Sequence, residues 1–192
     1  MLIPDNLARI RERMRAAAGR AGRTAADVLL MAVTKTHPPE RIREAHAAGL
    51  RLFGENRVQE FAGKAAALAD LAEVEWRMIG HLQTNKAGKA AELFHAVDSL
   101  DSLKLAEKLE AAARQQNKKL PVLIEVNLGG EAAKSGVAPD SRALDELLLA
   151  APRLEALQFR GLMTVPPYTE DPEAARPFFR RLRELRDRKS VV

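Results

Sequence analysis

The run Leu29–Glu40, LLMAVTKTHPPE, decides how the rest of the chain is read. A short apolar run bounded by turn signals reads as a buried strand, here expected over Val28–Thr34. It finishes on Lys35, between two threonines and just ahead of a proline pair. Lysine is almost never fully buried without a partner, so a core strand that ends on one calls for a chemical reason. The strand leads into TKTHPPE, neither G-x-G-x-x-G nor a Walker loop, which argues against a nucleotide-binding doubly wound sheet.

Outward from this stretch, extended runs alternate with helical periodicity. Strands are expected at Val28–Thr34, Arg51–Gly54, Glu75–Gly80, His95–Asp98, Pro121–Asn127 and Gln158–Thr164. Helices are expected at Glu40–Ala48, Val58–Ala69, Lys86–Leu93, Ser102–Gln116, Ser141–Ala150 and Glu173–Arg188, after a first amphipathic helix with Leu7, Ile10 and Met14 on one face. Such repetition implies parallel strands with right-handed crossovers. Polar residues recur at the C-terminal strand ends: Lys35, Glu55 with Asn56, His81, Asn127 and Thr164. That is the end at which a β/α barrel builds its sites. The expected fold is α/β, a TIM-type (β/α) barrel forming a single domain over residues 1–192. Only about six of the eight strand-helix units are found. Because RDRKSVV falls where a seventh strand is due, the expectation is a barrel incomplete at its C-terminus.

Composition bounds the function. The 192 residues are 46% hydrophobic and 30% charged, the balance of a globular domain. A net charge of +5 and a pI near 9.7 would suit a polyanion. The basic residues are interleaved with glutamate, however, as in RRLRELRDRK, and aromatics are only 4%, so no nucleic-acid partner is expected. The absence of cysteine excludes disulfides and thiolate chemistry. His37, His46, His81 and His95 fall on separate elements without metal-motif spacing, so no metal site is expected. No apolar run could span a bilayer, which leaves no membrane partner and the cytoplasm as the expected compartment.

Strand alternation places Leu29, Met31, Val33 and Lys35 on one face and Leu30, Ala32 and Thr34 on the other. If the first set faces inward, Lys35 tops an inward column and is partly desolvated. Desolvation favours the free amine, the form that condenses with a carbonyl to give a Schiff base. The plainer reading is a lysine that snorkels to solvent or pairs with Glu55. In FGENRVQE, Asn56 reads by itself as a helix cap.

The segments AVTKTHP, FGENRVQE, WRMIGHLQTNK, EVNLGGEAAKSG and RGLMTVP occur in order along the chain. Together they resemble the pyridoxal phosphate homeostasis proteins, also called the YggS/PROSC family, single-domain relatives of the alanine racemase barrel that carry pyridoxal 5′-phosphate on a lysine. By motif, the resemblance implies that Lys35 forms the Schiff base and that Asn56 lies beside the cofactor ring. It also implies that Met163 lines the pocket from the sixth strand and that His81 and Asn127 sit at matching strand ends. Ser135 falls in a loop over the mouth.

In that family the phosphate is held by segments at the seventh and eighth strands, and neither occurs in this sequence. The resemblance also implies a usually monomeric protein, whereas open strand edges would let an incomplete barrel associate. The implied role is non-catalytic: binding of pyridoxal 5′-phosphate in vitamin B6 homeostasis, with apo-enzymes as recipients. The alternative is a racemase-like enzyme, which would need a second base on the far face of the ring. The one tyrosine, Tyr168, lies in the loop VPPYTEDP, and no second domain is expected. A cofactor-free aldolase with Glu55 as its acid/base ranks last.

Overall fold

The computed structural model describes residues 2–131 and 135–189. Ala132–Lys134 of the EVNLGGEAAKSG motif and the final SVV of RDRKSVV lie outside the described residues. Among those described, six strands alternate with helices: β1 (Ala32–Val33), β2 (Leu52–Glu55), β3 (Glu75–Met78), β4 (Ala96–Leu100), β5 (Leu120–Glu125) and β6 (Leu157–Met163). The α-helices are α1 (Ile3–Arg20), α2 (Pro39–Ala47), α3 (Val58–Ala65), α4 (Ala87–Leu93), α5 (Leu103–Gln115), α6 (Arg142–Ala150) and α7 (Arg176–Lys189). The strands are arranged in the sheet in chain order, with parallel registers such as Ala32 against Phe53 and Leu120 against Leu157. A dinucleotide-binding doubly wound sheet reverses its order part-way, whereas sequential order is that of a β/α barrel.

The chain divides into two compact units, residues 1–55 with 59–76 and residues 56–58 with 77–192. The first is packed around Ile42, Phe53, Phe61 and Trp76. The Trp76 ring lies 5.1 Å from that of Phe53 and 4.7 Å from that of Phe61. Here the strand expected over Val28–Thr34 shrinks to Ala32–Val33. Thr24 and Asp27 form a capping box that opens a 3-10 turn over Ala25–Asp27, with Val28 closing it. Among the described residues β1 also has a single neighbour, β2, so most of the apolar run has no ladder to join.

In the second unit, Ser102 and Ser141 cap α5 and α6 by accepting from the amides of Leu105 and Leu144, both at 3.3 Å. β4 runs two residues beyond the expected His95–Asp98 because its register against β5 shifts between Val97 and Leu100, which carries Asp98 and Ser99 inside the strand. The last helix starts at Arg176 and not at Glu173, since Pro177 cannot donate to a preceding turn and is tolerated only near a helix start. Among the described residues no helix is long and apolar enough to cross a membrane.

Candidate functional site

Within the second unit a cavity of about 530 Å³ opens beside the ends of β3 and β5. Asn56, Gly80, His81, Glu125, Asn127 and Ser135 contribute to its wall. α3 begins at Val58, so Asn56 does not sit at the cap position, and its side-chain amide has no hydrogen bond among the described residues. The cap expectation therefore fails, and the amide is left to the cavity. Gly80 comes so close that a Cβ there would lie 2.4 Å from the Asn56 carbonyl oxygen and 2.8 Å from its Cα. Only glycine permits that approach.

His81 Nδ1 is 2.9 Å from Asp101 Oδ2. A carboxylate on Nδ1 holds a hydrogen on that nitrogen and fixes the orientation of the ring. Glu125 closes β5 and is buried. Burial pushes its carboxyl above the ordinary glutamate value, and the Asp101 charge adds to this, while the Ser135 hydroxyl and His81 act in the opposite direction. Ser135 Oγ donates to both Glu125 oxygens, at 2.9 and 3.0 Å.

The loop after β5 returns through paired backbone bonds, Val137 N to Glu125 O and Asn127 N to Val137 O, both 2.9 Å. The Asn127 side chain is engaged by this loop: Nδ2 donates to Glu131 O at 2.9 Å and Oδ1 accepts from Gly130 N at 3.0 Å. Met163 ends β6 opposite Glu125, with its carbonyl accepting from Val126 N at 2.8 Å; from that part of the chain the cavity wall takes Val165.

Lys35 belongs to the first unit. The alternation expected along its strand does not produce an inward column, since Leu29 is 76% and Val33 47% exposed and Lys35 is exposed as well. The desolvation expected for Lys35 is therefore not found. The buried residue at this strand end is Thr34, 5% exposed, whose hydroxyl donates to Glu55 Oε1 at 2.6 Å. Glu55 does not pair with Lys35 either. Its partner is Lys64 on α3, with Nζ at 2.8 Å. Among the described residues the Lys35 ammonium meets no hydrogen-bond or ion-pair partner.

Asn56 and His81 thus share the cavity, Met163 lies at the strand end beside Glu125, and Lys35 lies in the other unit. Glu125, Asp101 and Lys64 escape a reading of the sequence. Alternation would place Glu125 on the same face as Asn127, two residues on, but a glutamate inside an apolar run reads only as part of the strand. Asp101 carries no local signal, because its partner His81 is 20 positions away; Lys64 has a local partner in Glu60, four residues before it, but its contacts to Glu55 and to Thr34 O span 9 and 30 positions.

Sequential parallel strand-helix units with polar groups at the strand ends define a protein of the β/α-barrel class. A family model described as alanine racemase, N-terminal domain, matches residues 6–190. The pyridoxal phosphate homeostasis protein of Aquifex aeolicus (strain VF5) is 47% identical over 184 residues, covering 95% of this chain and 79% of the relative. That of Pseudomonas aeruginosa is 47% identical over 183 residues, covering 95% and 78%. PipY of Synechococcus elongatus PCC7942, solved with PLP bound, has a TM-score of 0.79 and 34% identity over 99% of this chain and 84% of its own. Alanine racemase from Streptomyces coelicolor A3(2) aligns with a TM-score of 0.66 at 23% identity, over 97% of this chain and 50% of its own, a likeness of fold. The chain belongs to the alanine racemase N-terminal domain family and, within it, to the pyridoxal phosphate homeostasis proteins.

Proposed function

We propose that this protein is a non-catalytic pyridoxal 5′-phosphate-binding protein of vitamin B6 homeostasis, with Lys35 as the covalent attachment point and Asn56, His81 and Met163 about the cofactor. The observation that carries the reading is Lys35 itself. It stands just past β1 inside AVTKTHP, on an ordered turn, with its side chain exposed and unpartnered among the described residues. Lys64 and Lys118, by contrast, are tied into the fold, the one through Glu55 and the other through the carbonyls of Ala91 and Phe94.

The donor set of the cavity fits the cofactor. Asn56 has an unengaged amide, His81 is oriented by Asp101, Glu125 is shifted toward its neutral form, and the volume lies in the range of small-molecule sites. The cofactor would supply an aldehyde carbon for the lysine amine, and the protein groups would bind and orient it. The names of the homeostasis relatives and PLP in the PipY structure support the same reading.

A carrier and not a racemase is favoured by Tyr168, which is 92% exposed on its loop and has no hydrogen-bond partner among the described residues to aim it at a ring face. We place the protein in the cytoplasm, acting through residues 1–192 as one binding domain and passing cofactor to apo-enzymes. The test is to load it with pyridoxal 5′-phosphate, reduce with borohydride and map the peptides. The pyridoxyl mass is expected on Lys35, and label on other lysines with none at Lys35 would overturn the assignment.

A further inference from the structure

We propose that Lys64, together with Glu60, is the positioning residue for Lys35, acting through the backbone of the turn that carries it; the inference rests on Lys35 being the attachment point. The turn is Thr34–His37, closed by His37 N donating to Thr34 O at 3.1 Å. Its third residue, Thr36, has φ +64°, in the left-handed region. Turns that need a positive φ at that place usually have glycine or asparagine there, and a β-branched residue is held there only by its surroundings.

Those surroundings are specific. Lys64 Nζ donates to Thr34 O at 3.0 Å and lies 3.3 Å from His37 O, so one ammonium takes the carbonyls at both ends of the turn. Glu60 Oε1 accepts from Thr36 N at 2.6 Å, the amide of the strained residue itself. The same carboxylate lies 3.3 Å from Lys64 Nζ, and Glu55 Oε1 lies 2.8 Å from it. Lys64 is 7% exposed and Glu55 fully buried. Thus two carbonyls and the central amide around Lys35 are fixed from α3 and β2, while the Lys35 side chain is left unengaged. An ion pair serving stability alone would not need to reach the turn backbone on both sides of one exposed lysine.

The reaction at stake is addition of the unprotonated Lys35 amine to an aldehyde carbon, with loss of one water to leave a C=N bond, and no electrons are exchanged. Its rate depends on where the turn points the amine.

The experiment mixes protein with pyridoxal 5′-phosphate, quenches with borohydride at successive times and measures label peptide by peptide, alongside thermal melts. Lys64→Met should slow labelling of Lys35 by about tenfold or more, with the other lysines unchanged. Adding Thr36→Gly, which relaxes the left-handed requirement, should restore labelling to within about threefold of the unsubstituted protein. A purely structural lysine would not be rescued there. Should Lys64→Met fail to fold, Glu60→Ala is the second variant and should slow Lys35 by about threefold. A folded Lys64→Met, or Glu60→Ala in its place, that labels Lys35 at the original rate would overturn this inference alone. Absence of Lys35 label in the unsubstituted protein would instead remove the assignment on which it rests.

Discussion

Ser135 bridges the two carboxylate oxygens of Glu125 with a single hydroxyl, at 2.9 and 3.0 Å, across ten residues of sequence. The contact joins the end of β5 to the loop that returns through Val137, and it seals one wall of the cavity. A serine has one proton to give, so at any moment one oxygen of the buried carboxylate is incompletely satisfied. That accounts for the direction of the Glu125 shift: desolvation outweighs the hydrogen bond, and the Asp101 charge acts with desolvation against the anion.

This geometry makes stability depend on pH. The folded carboxyl binds its proton more tightly than the unfolded one, so its contribution is fully present below the ordinary glutamate pKa and is lost as pH rises through the raised folded value. Glutamine in its place cannot ionise and can still accept from Ser135. Glu125→Gln is therefore expected to melt at the same temperature as the parent near pH 4 and higher at pH 8. A gap that widens on acidification would contradict the assignment.

Glu110 on α5 gives a stability prediction. Its Oε2 accepts from the amides of Ala156 at 2.8 Å and Leu157 at 3.1 Å, and the residue is buried. These amides open β6; Leu157 N also donates to Leu154 O at 3.0 Å, so among the described residues Ala156 N is the amide that loses its acceptor when Glu110 is truncated. Glu110→Ala should cost about 1–3 kcal/mol in denaturant unfolding, whereas Glu110→Gln, which keeps an oxygen, should cost under about 1 kcal/mol. Equal losses for the two would mean that the Ala156 amide finds another acceptor.

Racemase activity would need a second proton donor, and Tyr168 is the sequence's one tyrosine. The loaded protein is expected to leave the chirality of added amino acids unchanged, and Tyr168→Phe should behave identically. Turnover that collapses in the variant would make Tyr168 a catalytic group and remove the carrier reading.

The sequence is legible where a rule acts locally. Six strands in order, the helices expected from Ser102 and Ser141, and the strand ends carrying Lys35, Asn56 and His81 all come from periodicity. It misleads where a partner decides. The apolar run before Lys35 reads as seven residues of strand, but a ladder needs a neighbour, and among the described residues only Ala32 and Val33 have register partners. Glu55 reads as the counter-ion of the nearest lysine in the motif, yet Lys64, nine residues on along α3, reaches it instead. Asn56 reads as a cap until the helix start at Val58 frees its amide. Glu125 stays hidden because its role depends on a serine beyond a loop.

Gly80 offers the sharpest test of the cavity. A Cβ at this position would meet three backbone atoms of Asn56: its oxygen at 2.4 Å, its Cα at 2.8 Å and its carbonyl carbon at 3.0 Å. Backbone cannot swing aside as a side chain can, so the strand end carrying Asn56 must move bodily. Gly80→Ala is therefore expected to cost about 1–3 kcal/mol as overpacking and, by displacing Asn56, to weaken pyridoxal 5′-phosphate binding about tenfold or more in an absorbance titration. Gly88→Ala in α4 is the control. Nothing lies within 4 Å of its Cβ position, and removing a helical glycine should raise stability by about 0.5–1 kcal/mol without touching affinity. Equal affinities in the Gly80 and Gly88 variants would show that Asn56 does not contact the cofactor, and the site would have to be sought elsewhere on the chain.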